Sequence, residues 1–264
     1  MISMQISTVT ENYIHDLIAS GRREDGRDTN DYRQISISHG TIPNAEGSAE
    51  VTIGSTKVLV GVKLGIGSPM PDKPNEGNII TSAELLPIAS ESFEMGPPSP
   101  EAIELARVTD RGIRASGIID TKALFLEEEK VWDLFIDAYI LNYDGNMFDA
   151  CTLAAVAALS TARMPKYEDG KAIREGNLGR LKTNNMITSC TFAKIGESIV
   201  LDPDGNEELF MASRLTISND KDAVRAMQKG LSGSFSPKDI ENLIDITFSK
   251  STELRKHIEN IKGE

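Results

Sequence analysis

The 264-residue sequence predicts an α+β fold built from two related lobes, on three observations. Helical segments follow strand segments in both halves of the chain. A stretch of the first half, IGSTKVLV, resembles IGESIVL in the second, each with a glycine turn that leads into an apolar strand. The length suffices for one large domain or two closely packed halves with a substantial core.

The first 30 residues predict a short helix and an exposed connector. Tyr13, Leu17 and Ile18 give an apolar stripe at helical spacing, and Gly21 can end the helix. The charged stretch RREDGRDTNDYR follows and is typical of a surface segment. We therefore assign residues 1–30 to an N-terminal helix and connector.

The first lobe is predicted over 31–165 and begins with strands. Residues 33–37, 50–53 and 57–64 alternate apolar and polar side chains. The last two segments are separated by Gly54-Ser55, a two-residue hairpin signal. These three strands form the predicted start of the first sheet.

A glycine- and proline-rich loop over 65–77 and a strand over 78–88 precede the next predicted helix. Ser99 can cap that helix, Pro100 suits its first turn, and Gly117 lies just beyond its end. All three signals agree on the bounds of the helix.

The rest of the first lobe predicts a hairpin and an apolar helix. Segments 124–126 and 131–141 flank the charged turn EEEK. The alanine-rich segment after Gly145 then predicts a helix that runs to about Met164, before Pro165. Its Cys151 has no metal-ligand spacing to Cys190, so we expect two core cysteines in a reducing compartment.

The second lobe is predicted over 186–264, after a polar linker over 166–185. Ser236-Pro237 opens a long C-terminal helix. The preceding strand-like segments are 186–194, 198–201 and 209–217.

The stretch LDPDGNEEL could be a turn or a metal loop. Asp202, Asp204, Asn206 and Glu208 alternate like the start of a calcium loop, but Glu207 stands where that loop needs glycine. Asp-Pro-Asp-Gly is a common turn sequence, so we expect a hairpin turn and no metal.

Composition restricts the possible functions. The net charge of −12 would repel nucleic acid unless the chain carries a local basic patch or has a basic partner. The three histidines lie far apart, and neither a nucleophile elbow nor a phosphate loop with its lysine is present. With no secretory signal or membrane-length apolar run, we expect a cytoplasmic protein without membrane, metal or cofactor.

The helix SPEAIELARVTDRGIRASG carries the main candidate binding residues. At about 100° per residue, Arg107, Arg111 and Arg114 fall on one stripe, opposite the apolar face. This stripe could be an ordinary solvated face, paired within the helix to Glu104 and Asp110. It could also bind phosphates or an acidic partner, which three arginines in so acidic a chain favour.

The turn in YDGNMFDACTLAA has the strand, glycine and helix start of a phosphate site. Its side chains do not fit that role. Asn146, Met147, Phe148 and Asp149 offer neither a cation nor a hydroxyl, and the first hydroxyl is that of Thr152.

Four stretches, taken in order, resemble the ribonuclease PH family. They are REDGRDTNDYRQISISHGTIPNAEGSAEVTIGSTKVLVGV, ARVTDRGIRASG, YDGNMFDACTLAAVAAL and IVLDPDGNEEL, and they span nearly the whole chain. In detail, DRGIRASG, YDGNMFDA and DPDGNEEL are most similar to the non-catalytic ribonuclease PH-like subunit of the archaeal exosome. The resemblance implies a ribonuclease PH-like fold, with two lobes of mixed sheet packed with helices in a ribosomal protein S5 domain 2-like topology.

The resemblance also implies which reaction the active members catalyse and that this chain lacks side chains needed for it. Active members of the family are phosphorolytic 3′-to-5′ exoribonucleases, in which inorganic phosphate attacks the terminal phosphodiester. They carry Gly-Gly-Thr/Ser-Arg in the turn before the helix, where this chain has Gly145, Asn146, Met147 and Phe148. The hydroxyl and guanidinium that would hold phosphate are therefore absent from the turn.

Two further departures from the active members concern three residues. Their arginine pair before the arginine helix falls here at about Pro100 and Glu101. Their aspartate, which acts as a general acid or assists a metal, aligns with Arg214. Arginine cannot give up a proton near neutral pH, so no catalytic residue is expected.

By resemblance, the chain alternates with a catalytic ribonuclease PH-like subunit in a ring of three heterodimers, below RNA-binding cap subunits. Arg107 and Arg111 match positions that the resemblance implies to contact single-stranded RNA, whereas Arg114 is added from helix geometry alone. One rival is a self-sufficient homohexameric exoribonuclease that uses Asp202 or Glu208 as its acid. Another is a structural ring subunit without RNA contact.

Overall fold

The computed structural model describes residues 8–176 and 178–262. The helices are α1 (Thr8–Ala19), α2 (Pro100–Ser116), α3 (Met147–Thr161), α4 (Gly205–Phe210) and α5 (Pro237–Lys262). The first strands are β1 (Ile35–His39), β2 (Gly47–Ile53), β3 (Thr56–Gly67), β4 (Asn78–Leu85), β5 (Phe125–Glu127) and β6 (Lys130–Asn142). Short strands follow: β7 (Arg163–Met164), β8 (Lys166–Glu168), β9 (Lys171–Ile173) and β10 (Gly179–Arg180). The last are β11 (Thr188–Ile195), β12 (Ser198–Leu201), β13 (Ser213–Asn219) and β14 (Val224–Gly230).

Two main sheets organise the chain. The first has the order β1-β2-β3-β6-β4, with β5 added to β6, and it is mixed because β4 runs parallel to β6. The second is antiparallel, in the order β12-β11-β13-β14. The predicted α+β architecture is confirmed.

The two similar stretches form equivalent hairpins. Ile53 pairs with Thr56 across the first turn, and Ile195 pairs with Ser198 across the second. The glycine in each turn has a φ of 58°, a left-handed conformation that a side chain would disfavour. The similarity between IGSTKVLV and IGESIVL therefore reflects the same turn geometry in the two lobes.

Helix α3 lies between the two sheets. It packs against β2 and β3 on one side and against β11 and α5 on the other, and every residue from Met147 to Ser160 is buried. Its small side chains allow this close approach. The helix ends at Thr161, earlier than the predicted Met164, because Ala162 is extended and Arg163 donates its N–H to the Glu46 carbonyl at 2.7 Å.

Two further strand predictions are wrong in their bounds. Strand β3 continues through Gly67, into the predicted loop, because β6 is long enough to pair with it over its full length. The predicted strand at 209–217 begins at Ser213, and β14 was not predicted. The segment 166–185 contains β8, β9 and β10, of which β10 pairs with β7.

The expected hairpin turn in LDPDGNEEL is also wrong, since the segment forms α4. Asp204 caps this helix: its side chain accepts the Glu207 N–H at 3.0 Å, and the Glu207 carboxylate accepts the Asp204 N–H at 3.0 Å. Within the described residues, strand β12 pairs with β11 and not with β13, so no hairpin spans the segment.

The N-terminal connector is anchored to the second lobe through Arg23. Its buried guanidinium binds Glu207 through two bonds and donates to the Leu201 and Asp202 carbonyls. Both Cys151 and Cys190 are buried and free, as predicted for core residues. No helix within 8–176 or 178–262 combines the length and the apolar character needed to cross a membrane.

Candidate functional site

Helix α2 presents its arginines to solvent on a face fixed by its caps and its packing. The Ser99 hydroxyl accepts the Ala102 N–H at 3.2 Å, and Gly117 ends the helix with a φ of 64°. The stripe of Arg107, Arg111 and Arg114 is exposed. The opposite face is buried and contains Ala102, Leu105, Thr109, Gly112 and Ile113.

An open groove of about 450 Å³ runs between α2 and β14. Its lining is Pro100, Ile103, Glu104, Arg107, Val108, Arg111 and Gln228. The structure therefore brings Arg107 and Arg111 together. It also places Pro100 in the groove wall, whereas Glu101 is exposed at the start of α2.

The three arginines differ in their partners. Arg107 makes no hydrogen bond or ion pair within the part of the chain that the structure describes. Arg111 donates from Nη1 to Gln228 Oε1 at 2.7 Å. Arg114 lies outside the groove lining, where Nε pairs with Asp110 at 2.7 Å and Nη2 donates to the Ile79 carbonyl. Of the two expected intrahelical pairs, that with Asp110 forms; Glu104 pairs instead with Arg214.

The turn before α3 is filled by the chain's own carboxylate. Asn146, in a left-handed conformation with a φ of 49°, donates its N–H to Glu208 Oε1 at 2.8 Å. Tyr143 donates its hydroxyl to the other oxygen of Glu208. Burial raises the pKa of the Tyr143 hydroxyl and the pKa of the Glu208 carboxyl group. The backbone N–H of Asn146, which could face a phosphate, therefore already has the Glu208 carboxyl group as its partner.

The side chain of Asn146 holds two further carboxylates in place. Its Nδ2 donates to Asp149 at 2.9 Å and to Asp202 at 2.7 Å. Asp149 also accepts from the Tyr32 hydroxyl at 2.8 Å and from the Thr191 N–H at 2.9 Å. Asn146 is fully buried, so it serves an internal polar network.

This network predicts a pH dependence of stability through Asp149. Burial raises the pKa of Asp149 to about 7, against the hydrogen bonds that favour its charged form. An unfolded aspartate titrates near 3.9, so between about pH 4 and 7 the folded chain holds the additional proton. The contribution of Asp149 to the free energy of unfolding is then lost as the pH rises through this window, by roughly 1.4 kcal/mol per pH unit. Chemical denaturation across the window should show a steeper fall for the wild type than for Asp149→Asn, and equal slopes would contradict the assignment.

Phe148, at the start of α3, contacts Arg214 of β13. Phe148 is 2% exposed, and the Arg214 guanidinium carbon lies 4.0 Å from the centroid of its ring. Arg214 Nη2 pairs with Glu104 at 2.6 Å. A Cβ at Gly230 would come within 2.8 Å of the same nitrogen, so the guanidinium lies between the ring and the Gly230 backbone. Met147, the third position of the altered turn, is buried as well.

The acidic residues Asp202 and Glu208 of the LDPDGNEEL segment bind other side chains and backbone groups of the same chain. Asp202 is fully buried and accepts from Arg33 at Nε (2.9 Å) and Nη2 (2.8 Å). It also pairs with Arg27 at 3.0 Å. With Glu208 bound to Tyr143 and Asn146, both acids of the homohexamer rival are committed to contacts within the chain.

Sequence reasoning missed Gln228 and the filling of the turn by Glu208. Gln228 lies on β14, a strand whose polar segment VRAMQKG has weak strand character. Glu208 lies on α4, and the capping-box spacing of Asp204 and Glu207 is a sequence signal for this helix.

Comparison with known proteins agrees with this fold over most of the chain. Residues 31–165 match the model of the 3′ exoribonuclease family, domain 1, and residues 185–250 match domain 2 of the same family.

Similar proteins cover nearly the full length. The exosome complex component Rrp42 of Methanothermobacter thermautotrophicus is 44% identical, over 96% of this chain and 96% of its own. The Rrp42 of Methanosarcina acetivorans is 46% identical, over 95% of this chain and 93% of its own. A chain in the structure of the Archaeoglobus fulgidus exosome with RNA bound to the active site has a TM-score of 0.89 and 39% identity, covering 94% of this chain and 97% of its own. The sequence, the two-sheet fold and these matches agree: the chain belongs to the 3′ exoribonuclease family, the ribonuclease PH family that its motifs resemble.

Proposed function

We propose that the chain is a non-catalytic subunit of an exosome, a phosphorolytic 3′-to-5′ RNA-degrading complex of the cytoplasm. Three copies alternate with three copies of a catalytic ribonuclease PH-like partner in a ring, below RNA-binding cap subunits. Its similarity to proteins named as exosome components, and to a chain of an RNA-bound exosome, supports this assignment. Its free, buried cysteines suit a reducing compartment.

One observation carries the non-catalytic role: a carboxylate of this chain already binds the turn where phosphate would have to bind. Glu208 accepts the Asn146 N–H, so a phosphate would need to displace the Glu208 carboxyl group to bind the same N–H. Arg214, at the place of the family's acid, carries no transferable proton and is stacked on Phe148. These contacts favour a turn kept for its architecture, with the chemistry performed by the partner.

The proposed positive role is to guide RNA and to complete the partner's active site. Arg107 and Arg111 share the groove beside α2, and a guanidinium suits contacts to backbone phosphates. Such contacts add affinity without sequence preference and weaken with salt. Arg114, although on the same stripe, contributes less in this proposal because Asp110 and the Ile79 carbonyl bind its guanidinium.

The assay that tests this role compares the subunits separately and together. The chain is co-expressed and co-purified with a catalytic ribonuclease PH-like partner, and the mass of the complex is measured. Release of nucleoside diphosphates from single-stranded RNA is then followed with inorganic phosphate. We expect a mass of three heterodimers and activity that depends on the partner. Phosphate-dependent RNA shortening by this chain alone would overturn the proposal in favour of the homohexameric enzyme.

A further inference from the structure

The groove beside α2 has walls from both lobes. Helix α2 supplies one wall, and β14 of the second sheet supplies Gln228 opposite it. Val108, Arg111, Met227 and Gln228 also meet at a tight seam between these two elements. The position of the strand relative to the helix is thus fixed by packing, which brings Gln228 within reach of Arg111.

The contact between Gln228 and Arg111 holds the guanidinium without neutralising it. Gln228 Oε1 accepts from Arg111 Nη1 at 2.7 Å. An amide oxygen is uncharged, and a guanidinium has five N–H donors, so four donors and the full positive charge remain available. Arg114 shows the contrast, since its partner Asp110 is a carboxylate that offsets its charge.

Gln228 is itself held by its own strand. Its Nε2 donates to the Lys229 carbonyl at 3.3 Å, which orients the amide so that the oxygen faces Arg111. Its backbone lies opposite Thr216 in the antiparallel pair of β13 and β14. The acceptor is therefore presented from a paired strand, whereas Arg107 has no such support in the described chain.

We propose that Gln228 is a positioning residue for RNA binding, which acts by fixing the Arg111 guanidinium over the groove. The inference rests on the proposed function, because it assigns RNA phosphate as the ligand of Arg111. Holding a long side chain in its binding conformation before RNA arrives lowers the entropic cost of association. The second lobe, through this one amide, thereby contributes to the RNA site of the first.

A double-mutant cycle on the assembled ring tests this role. Affinity for a single-stranded RNA is measured at several salt concentrations for Gln228→Met, Arg111→Gln and the double variant. We expect Gln228→Met to weaken binding by about 3- to 10-fold with an unchanged salt slope, because Arg111 keeps its charge. Arg111→Gln should weaken binding and lower the salt slope by about 0.7, the contribution of one single-strand phosphate contact. In the Arg111→Gln background, Gln228→Met should have no further effect.

Two further variants sharpen the comparison. Gln228→Glu keeps the acceptor but adds charge, so it should lower the salt slope as Arg111→Gln does. Gln34→Met, the same change at an exposed glutamine outside α2 and β14, should bind RNA like the wild type.

If Gln228→Met binds RNA with wild-type affinity, the positioning role of Gln228 is wrong. The same holds if Gln228→Met lowers RNA affinity equally with and without Arg111. The proposed RNA contact of Arg111 stands in both cases. If Arg111→Gln leaves affinity and slope unchanged, both the inference and the proposed RNA contact of Arg111 fail.

Discussion

Replacing Asp202 by alanine is expected to lower the free energy of unfolding by about 3–5 kcal/mol, the range for removing one member of a buried ion pair. Asp202 is fully buried and accepts both Nε and Nη2 of Arg33. It also pairs with Arg27 and accepts from Asn146. The alanine variant leaves the buried Arg33 guanidinium with the more distant and partly exposed Asp144 carboxylate, 3.5 Å from its Nη1. Urea denaturation of the purified chain, at a pH where aspartate is ionised, measures the loss.

Asp204→Ala provides the matched control two residues away. Asp204 caps α4 near the surface, and losing such a cap costs about 1 kcal/mol. Both variants remove one carboxylate from the same segment. Equal losses for the two would contradict a special role of the buried pair.

Replacing both Arg107 and Arg111 by glutamate is expected to weaken RNA binding by the assembled ring by at least about tenfold and to lower its salt dependence. Each lost contact to a single-strand phosphate removes about 0.7 from the salt slope, and the new carboxylates add repulsion. Both side chains are exposed on α2, so the fold should tolerate the change. Fluorescence anisotropy with a labelled single-stranded RNA, at several salt concentrations, gives both quantities.

A double charge reversal elsewhere separates local contact from net charge. Lys166 and Lys171 are exposed on the β8–β9 hairpin, and Lys166→Glu with Lys171→Glu changes the net charge by the same amount. We expect little effect from this pair. Unchanged RNA affinity in the α2 variant, together with loss of the ring, would favour a structural subunit whose arginine stripe meets an acidic partner.

The regular elements of the fold were predictable where the local signal and the packing agree. Ser99, Pro100 and Gly117 delimit α2 by their own chemistry, and the hairpins at Gly54 and Gly196 follow from the conformational freedom of glycine. Helix α4 was missed because Asp-Pro-Asp-Gly also suits a turn. Its helical form is supported by the long-range pair of Glu207 with Arg23, which no local pattern contains.

The candidate site was predictable in its residues but not in its contacts. Helical spacing places Arg107, Arg111 and Arg114 on one stripe, yet only tertiary packing distinguishes them. Arg114 lies against β4, whose Ile79 carbonyl accepts its Nη2, whereas Arg111 meets Gln228 across the groove. The filling of the turn by Glu208 depends likewise on a contact across 62 residues of sequence.

Helix α3 joins the two lobes energetically as well as spatially. Its buried surface serves as one wall of the first lobe's core and meets β11 and α5 of the second. Ile258 of α5 belongs to the same apolar cluster as the first sheet. A cut within 166–185 would leave the second half without its shared wall and the first half with an exposed apolar helix. The molecule is therefore expected to unfold as one cooperative unit, although its two halves resemble each other.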